Sequence, residues 1–150
     1  MRMLVFRHGV AERVAPDGGD AVRALTPAGV KETGAAVRGL AAMASLPDVI
    51  LTSPKQRAVQ TANAVARAFG VEPEGMEALA DGSVEDVVSH SAAGFVELHK
   101  AGCASLDVDF ATAPPRASLA WLATPDVLRT RRRLRREPLA QHAAPGRVVS

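Results

Sequence analysis

Short apolar runs alternate with helical patterns along the first half of the chain. Met3-Leu4-Val5-Phe6 is continuously apolar and stops at Arg7-His8-Gly9, which predicts a buried strand ending in a turn. A polar, glycine-rich stretch leads to Thr26-Pro27, an N-cap residue followed by proline at the first helical position. Val30, Val37, Leu40, Ala41 and Ala44 recur at helical spacing and predict the buried face of that helix. Beyond the Leu46-Pro47 break, Asp48 to Thr52 is rich in aliphatic and β-branched residues and predicts a second buried strand. Ser53-Pro54-Lys55-Gln56 is the clearest helix start: serine as cap, proline at the first position and glutamine to close a capping box. Ala58, Thr61, Ala62, Val65 and Phe69 line one face of this helix, and Gly70 stops it. The predicted order is β-α-β.

The second half is less regular. Asp81-Gly82-Ser83 followed by Asp86 predicts a short third helix. Phe95 to Leu98 and Cys103 to Phe110 read as strands around a Lys100-Ala101-Gly102 turn, with Ala104, Leu106, Val108 and Phe110 on one face of the second. Ala117 to Leu122, with Trp121, is the last strand. At 150 residues and 47% hydrophobic content, the pattern suits one α/β domain and is too short for two ordinary ones.

Charge divides the chain unevenly. Residues 129–150 hold seven arginines and one acid, whereas residues 1–128 hold 11 basic and 15 acidic residues. The net +2 of the whole therefore comes from the end of the chain. The expected organisation is a domain over 1–128 followed by a basic, largely disordered tail over 129–150. The run RTRRRLRREP could meet nucleic acid, but it carries no aromatic residue for base stacking, so a solvated extension is the preferred reading. Cys103 is the single cysteine, so no intrachain disulfide can form and a reducing cytoplasm is the default expectation. No stretch reaches membrane-spanning length, and the initial apolar run is too short for a signal-peptide core.

Chemistry is expected where the first two strands end. In a parallel β-α-β unit, ligands gather at the carboxyl ends of the strands. Arg7 and His8 follow the first strand, and Arg57 lies in the first turn of the helix after the second. Two guanidinium groups, a histidine and a helix start at one edge suit an anion, and phosphate matches the rigid arginine fork. Each residue alone has an ordinary explanation in a turn or on a solvated helix face; their joint placement singles them out.

These residues also carry a resemblance. The strand MLVF ending in RHG, then LTPAGV at a helix start, then VILTSPKQRAVQTA, resembles the histidine phosphatase superfamily, specifically its small phosphohistidine phosphatase (SixA-type) branch. KAGCASLDVD and LAWLATPDVL resemble its closing strands and final turn, extending the likeness over nearly all of residues 1–128. The resemblance implies a three-layer α/β/α, phosphoglycerate-mutase-like fold with a mainly parallel sheet. It implies that His8 is the nucleophile that becomes phosphorylated and that Arg7 and Arg57 hold the equatorial oxygens. It also implies that neither metal nor cofactor takes part, and that the partner is a phosphorylated protein or a small phosphorylated substrate.

One part of the family pattern is missing. A second histidine, in a motif resembling VGHEP, should follow a hydrophobic strand, and its place is broken near Val88 to Gly94. An internal loss of a strand and a helix there would account for the junction. His90 is the nearest candidate, with a helix-surface residue as the alternative; His99 and His142 are expected to face solvent. Glu12 and Glu77 are both candidates for an acid near the site, and spacing does not choose between them. The preferred reading is a phosphatase that removes phosphate from phosphohistidine through His8; the alternatives are a catalytically impaired phosphate-binding or regulatory module and a small-molecule phosphomonoesterase.

Overall fold

The structure, a computed structural model, describes residues 2–15, 18–81, 99–109, 111 and 116–134. Through these the chain runs β1 (Arg2–Phe6), α1 (Pro27–Ala41), β2 (Ile50–Thr52), α2 (Gln56–Phe69), β3 (Pro73–Gly75), α3 (Ala78–Asp81), β4 (Cys103–Asp109), β5 (Arg116–Ala123) and α4 (Pro125–Leu134). The predicted strand over Phe95 to Leu98, the predicted third helix beyond Asp81 and the expected loss near Val88 to Gly94 fall outside the described residues.

Local chemistry explains the helix ends. The Thr26 hydroxyl accepts the Gly29 N–H at 2.9 Å and Pro27 opens α1, as predicted. The buried face of α1 is Gly29, Thr33, Ala36, Val37 and Leu40. Val30, assigned to that face from spacing, is 51% exposed because it lies one position around the helix. Helix α2 begins later than its sequence signal. Ser53 Oγ accepts the Lys55 N–H at 3.3 Å, and the Lys55 carbonyl starts the helical ladder by accepting from Val59 at 3.0 Å. Ser53 thus caps a preceding turn rather than the helix. Gly70 closes α2 with φ of 73°, a conformation that costs glycine no Cβ clash.

The sheet differs from the mainly parallel arrangement expected. Among the described strands, β1 pairs with β4 and β4 with β5, both antiparallel; only β2 and β3 pair in parallel. Two constraints cause this, one tertiary and one local. The Arg7 N–H donates to the Gly102 carbonyl at 3.1 Å, so β4 starts beside the end of β1 and must run back along it. Only residues 110–115 separate β4 from β5, far fewer than a parallel crossover needs. Strand β2, predicted to be buried, exposes Leu51 while Thr52 is buried, because alternation turns their side chains to opposite faces.

The core lies between one face of the β1-β4-β5 sheet and the pair α1 and α4. Ala36 and Leu40 of α1 and Leu128 of α4 pack with Ala101, Cys103 and Ala123, flanked by Leu4, Phe6 and Trp121. The other face carries a second cluster of Val5, Leu106, Val108 and Ala117. A register shift between Ser105 and Leu106 divides the two ends of β4. Helix α4 continues past Leu128, where the tail was expected to begin, to Leu134. Its anchor is Leu128, fully buried against α1.

Close backbone approach makes that helix contact sensitive to one residue. A Cβ on Gly39 would run into the carbonyl group of Leu128. Gly39→Ala is therefore expected to destabilise by about 2 kcal/mol and to lower the melting temperature by roughly 5 °C. In the same helix a Cβ on Gly34 meets only the tip of Arg38 at 3.5 Å. Gly34→Ala should stabilise by about 0.5–1 kcal/mol through helix propensity. Opposite signs from two glycine-to-alanine changes, read in one thermal unfolding series, would establish the packing; two equal shifts would not.

Candidate functional site

Arg7 and His8 emerge from the carboxyl end of β1, where three backbone hydrogen bonds hold them. Besides the Arg7 N–H bond to Gly102, the Ala101 N–H points at the carbonyls of Arg7 at 3.1 Å and His8 at 3.3 Å. Ala101 achieves this at φ of 60° while fully buried, a conformation that costs a non-glycine residue about 1–2 kcal/mol. The sequence marks a turn at Lys100-Ala101-Gly102, and the glycine is the obvious residue for a left-handed angle. The fold instead places the alanine there, against the Arg7-His8 backbone.

The next residue ties this strand end to both helices. A Cβ on Gly9 would overlap the Thr33 hydroxyl of α1, so the absence of a side chain lets the turn lie directly on that helix. The Gly9 N–H donates to Thr61 Oγ1 at 3.4 Å, and the Thr61 hydroxyl donates to the Arg57 carbonyl at 2.8 Å. Further along the loop, the Leu25 N–H donates to Gln60 Oε1 at 2.6 Å and the Gln56 N–H to the Ala21 carbonyl at 2.8 Å. Gly9, Ala21 and Leu25 are thereby stitched to the first two turns of α2. These contacts tie the start of α2 to the turn after β1, and the charge of Arg57 is felt at His8.

Hydrogen bonding fixes the ring of His8. Its Nδ1 lies 2.8 Å from the Gly9 carbonyl oxygen, which can only accept. Nδ1 must therefore carry the proton, and the lone pair of the neutral ring lies on Nε2. The His8 pKa is lowered, first by burial, with the positive charges of Arg57, Arg7 and Lys100 adding to the effect and the Gly9 bond opposing it. A neutral imidazole at pH 7 follows from that direction.

Arg57 is 9% exposed and is the charged member of the α2 face that also buries Thr61, Ala62 and Ala66. Its partner is Asp20, a residue the sequence reading did not select. Arg57 Nη1 donates to the Asp20 carbonyl at 2.7 Å and Nη2 to the Asp20 carboxylate at 2.9 Å. The same carboxylate receives Arg23 Nη1 at 2.8 Å and lies 3.4 Å from Lys55 Nζ. Hydrogen bonds from Arg57 and Arg23 hold its pKa far below the ordinary carboxylate value. The loop offers both Asp17 and Asp20, and no sequence signal distinguishes them.

Glu12 and Glu77 are exposed, and the carboxylate that reaches Arg57 is neither of them but Asp20. His99 faces solvent, while His90 and His142 lie outside the described residues. Burial pushes the Cys103 thiol up to about 12, which leaves its nucleophilic thiolate unpopulated at neutral pH. Among the described residues no group of histidine, cysteine, aspartate or glutamate could hold a metal ion. No described helix is long and apolar enough to cross a membrane.

The family model of the histidine phosphatase superfamily (branch 1) matches residues 3–124. The chain belongs to this superfamily of phosphatases. No curated protein matches it in sequence, but solved structures share its fold. The protein histidine phosphatase SixA complexed with tungstate aligns with a TM-score of 0.74 at 20% identity, covering 85% of this chain and 99% of that one. A structure from Agrobacterium tumefaciens assigned to the same phosphatase gives 0.64 at 24% identity, covering 83% and 97%. A phosphoserine phosphatase mutant from Entamoeba histolytica, in complex with phosphoserine, gives 0.62 at 12% identity, covering 85% and 98%. The α/β, phosphoglycerate-mutase-like architecture follows from the family match and these likenesses together.

Proposed function

We propose that this superfamily member removes phosphate from phosphohistidine, using His8 as nucleophile and Arg7 and Arg57 as the phosphate clamp. The observation that carries this reading is the hydrogen bond from His8 Nδ1–H to the Gly9 carbonyl at 2.8 Å. It leaves the Nε2 lone pair available in a region made positive by Arg57, Arg7 and Lys100. In the first step that lone pair attacks phosphorus, an N–P bond forms, and the P–N bond of the substrate breaks with its electron pair and a proton going to the departing imidazole. Water then attacks the phosphorylated His8; a P–O bond forms, the N–P bond breaks, and His8 recovers its lone pair as inorganic phosphate leaves. Phosphoryl transfer of this kind depends chiefly on positioning and charge stabilisation, which a buried guanidinium fork supplies.

A phosphoramidate also suits the acids present. Its leaving nitrogen can be protonated in advance, whereas an alkoxide needs a positioned acid. Asp20, the carboxylate bonded to Arg57, is held ionised by its arginines and so has no proton to give at neutral pH. The SixA-type fold likeness supports the same substrate class, while the phosphoserine phosphatase likeness favours a small-molecule ester as the second reading.

The test is phosphate release by the purified chain from a phosphohistidine-bearing protein and from phosphoserine, side by side. Higher kcat/KM on phosphohistidine is the expected result. Preference for phosphoserine would move the assignment to small-molecule esters. Phosphate binding without release from either would point to the impaired, phosphate-binding module.

A further inference from the structure

We propose that Asp20 is a built-in counter-anion of the phosphate site, which occupies the end of the Arg57 fork and is displaced when a phosphoryl group binds. The inference rests on the reading of Arg57 as part of the phosphate clamp and adds a competitor to it. Both terminal nitrogens of Arg57 are engaged by Asp20, one by its carbonyl and one by its carboxylate. A phosphate taking the same N–H groups must remove that carboxylate.

Asp20 is placed to leave. Its side chain is 53% exposed, so water can solvate the carboxylate once it lets go. It retains Arg23, three residues along the same loop, as a partner after release. The arrangement around it resembles the one a bound anion would create. Arg57, Arg23 and Lys55 come from two separate segments and converge on one carboxylate. Three cations gathered this way repel one another unless a negative charge sits among them. A phosphoryl dianion offers twice the charge of the carboxylate and a geometry matched to the guanidinium fork. The consequence is a lowered affinity for phosphate, which limits product retention and disfavours weakly charged ligands.

The experiment measures inorganic phosphate binding to the full chain by calorimetry for wild type, Asp20→Asn and Asp20→Ala, with Arg57→Ala as reference. Asparagine keeps the shape and an acceptor for Arg57 while removing the charge, which guards against a loop that misfolds in the alanine variant. Asp20→Asn is expected to bind phosphate roughly tenfold more tightly, the order expected for removing one partly screened charge beside the ligand. The wild-type Asp20 carboxyl resonance should also move on phosphate saturation as its contact with Arg57 breaks. Unchanged or weaker binding in Asp20→Asn would overturn the proposal, the weaker case making Asp20 a positioning residue for Arg57. An Asp20–Arg57 pair that persists in the phosphate-bound protein would overturn displacement even if affinity rises. Equal phosphate affinity in wild type and Arg57→Ala would remove the clamp itself, and the counter-anion with it.

Discussion

Replacing His8 by alanine is expected to eliminate phosphate release and covalent labelling by a phosphate donor, with a fall in kcat of at least about 10³-fold. The size follows from the role: a residue that forms the covalent bond has no substitute, and nucleophile deletions in enzymes with covalent intermediates cost on the order of 10⁴–10⁶. Phosphate binding should survive the change, because Arg57 does not depend on the imidazole for its position. Its carbonyl accepts the Thr61 hydroxyl and its side chain is buried on α2, contacts that remain when Asp20 is displaced. Retained phosphate affinity with lost labelling is thus the pattern that identifies His8 as nucleophile. Undiminished turnover in His8→Ala would place the chemistry elsewhere.

The pH profile expected of the wild-type protein gives a second view of the same residue. Only the neutral ring has the Nε2 lone pair, and burial together with the three neighbouring cations lowers the His8 pKa from 6.5. The neutral form is complete well above that lowered value and is lost as pH falls through it. The acid limb of kcat/KM should therefore lie below pH 6.5, with no loss from this group at pH 7. An acid limb above pH 6.5 would mean that a carboxylate, rather than the arginines, dominates the surroundings of the ring.

Arg57→Ala is expected to lower kcat/KM by about 10²–10³-fold and to weaken phosphate binding in parallel, the range seen when one preorganised donor to developing charge is removed. Arg57→Lys should recover only part of the loss, since an ammonium supplies charge without the two-nitrogen fork. The residue is nearly buried on α2, so thermal unfolding must accompany the kinetics. Alanine in this place also leaves Arg23 and Lys55 as the remaining cations on Asp20. A large kinetic loss at a near-normal melting temperature assigns Arg57 to phosphate. A kinetic loss that tracks unfolding would make it a structural residue of the loop junction.

Much of this site was legible in order along the chain. Thr26-Pro27, Gly70 and the Phe6-Arg7-His8 boundary act through capping, left-handed backbone and the end of an apolar run, which are interactions among neighbours in sequence. Their positions could be read without knowing the rest of the fold. The family resemblance over the same segments agrees with the matched model across residues 3–124. Local signals misled where two turns competed: Ser53 has every mark of a helix cap, yet its hydroxyl serves Lys55 and the helix starts at Gln56.

Other features depend on distant residues and have no local sign. The identity of Asp20 as partner of Arg57 spans 37 positions, and the loop holding it is set by contacts from Ala21 and Leu25 to α2. The antiparallel pairing of β1 with β4 depends on where Ala101 and Gly102 meet the backbone of Arg7 and His8. Hydrophobic period identifies a strand and its faces but says nothing of its neighbour or direction. By itself the sequence singled out the residues proposed to carry the chemistry: a histidine and an arginine after an apolar strand, and a second arginine at a helix start. Only the tertiary structure decided the His8 tautomer, through the Gly9 carbonyl, and the carboxylate that neutralises the clamp. Both are contacts of a few ångströms, made when segments remote in sequence close around the same turn.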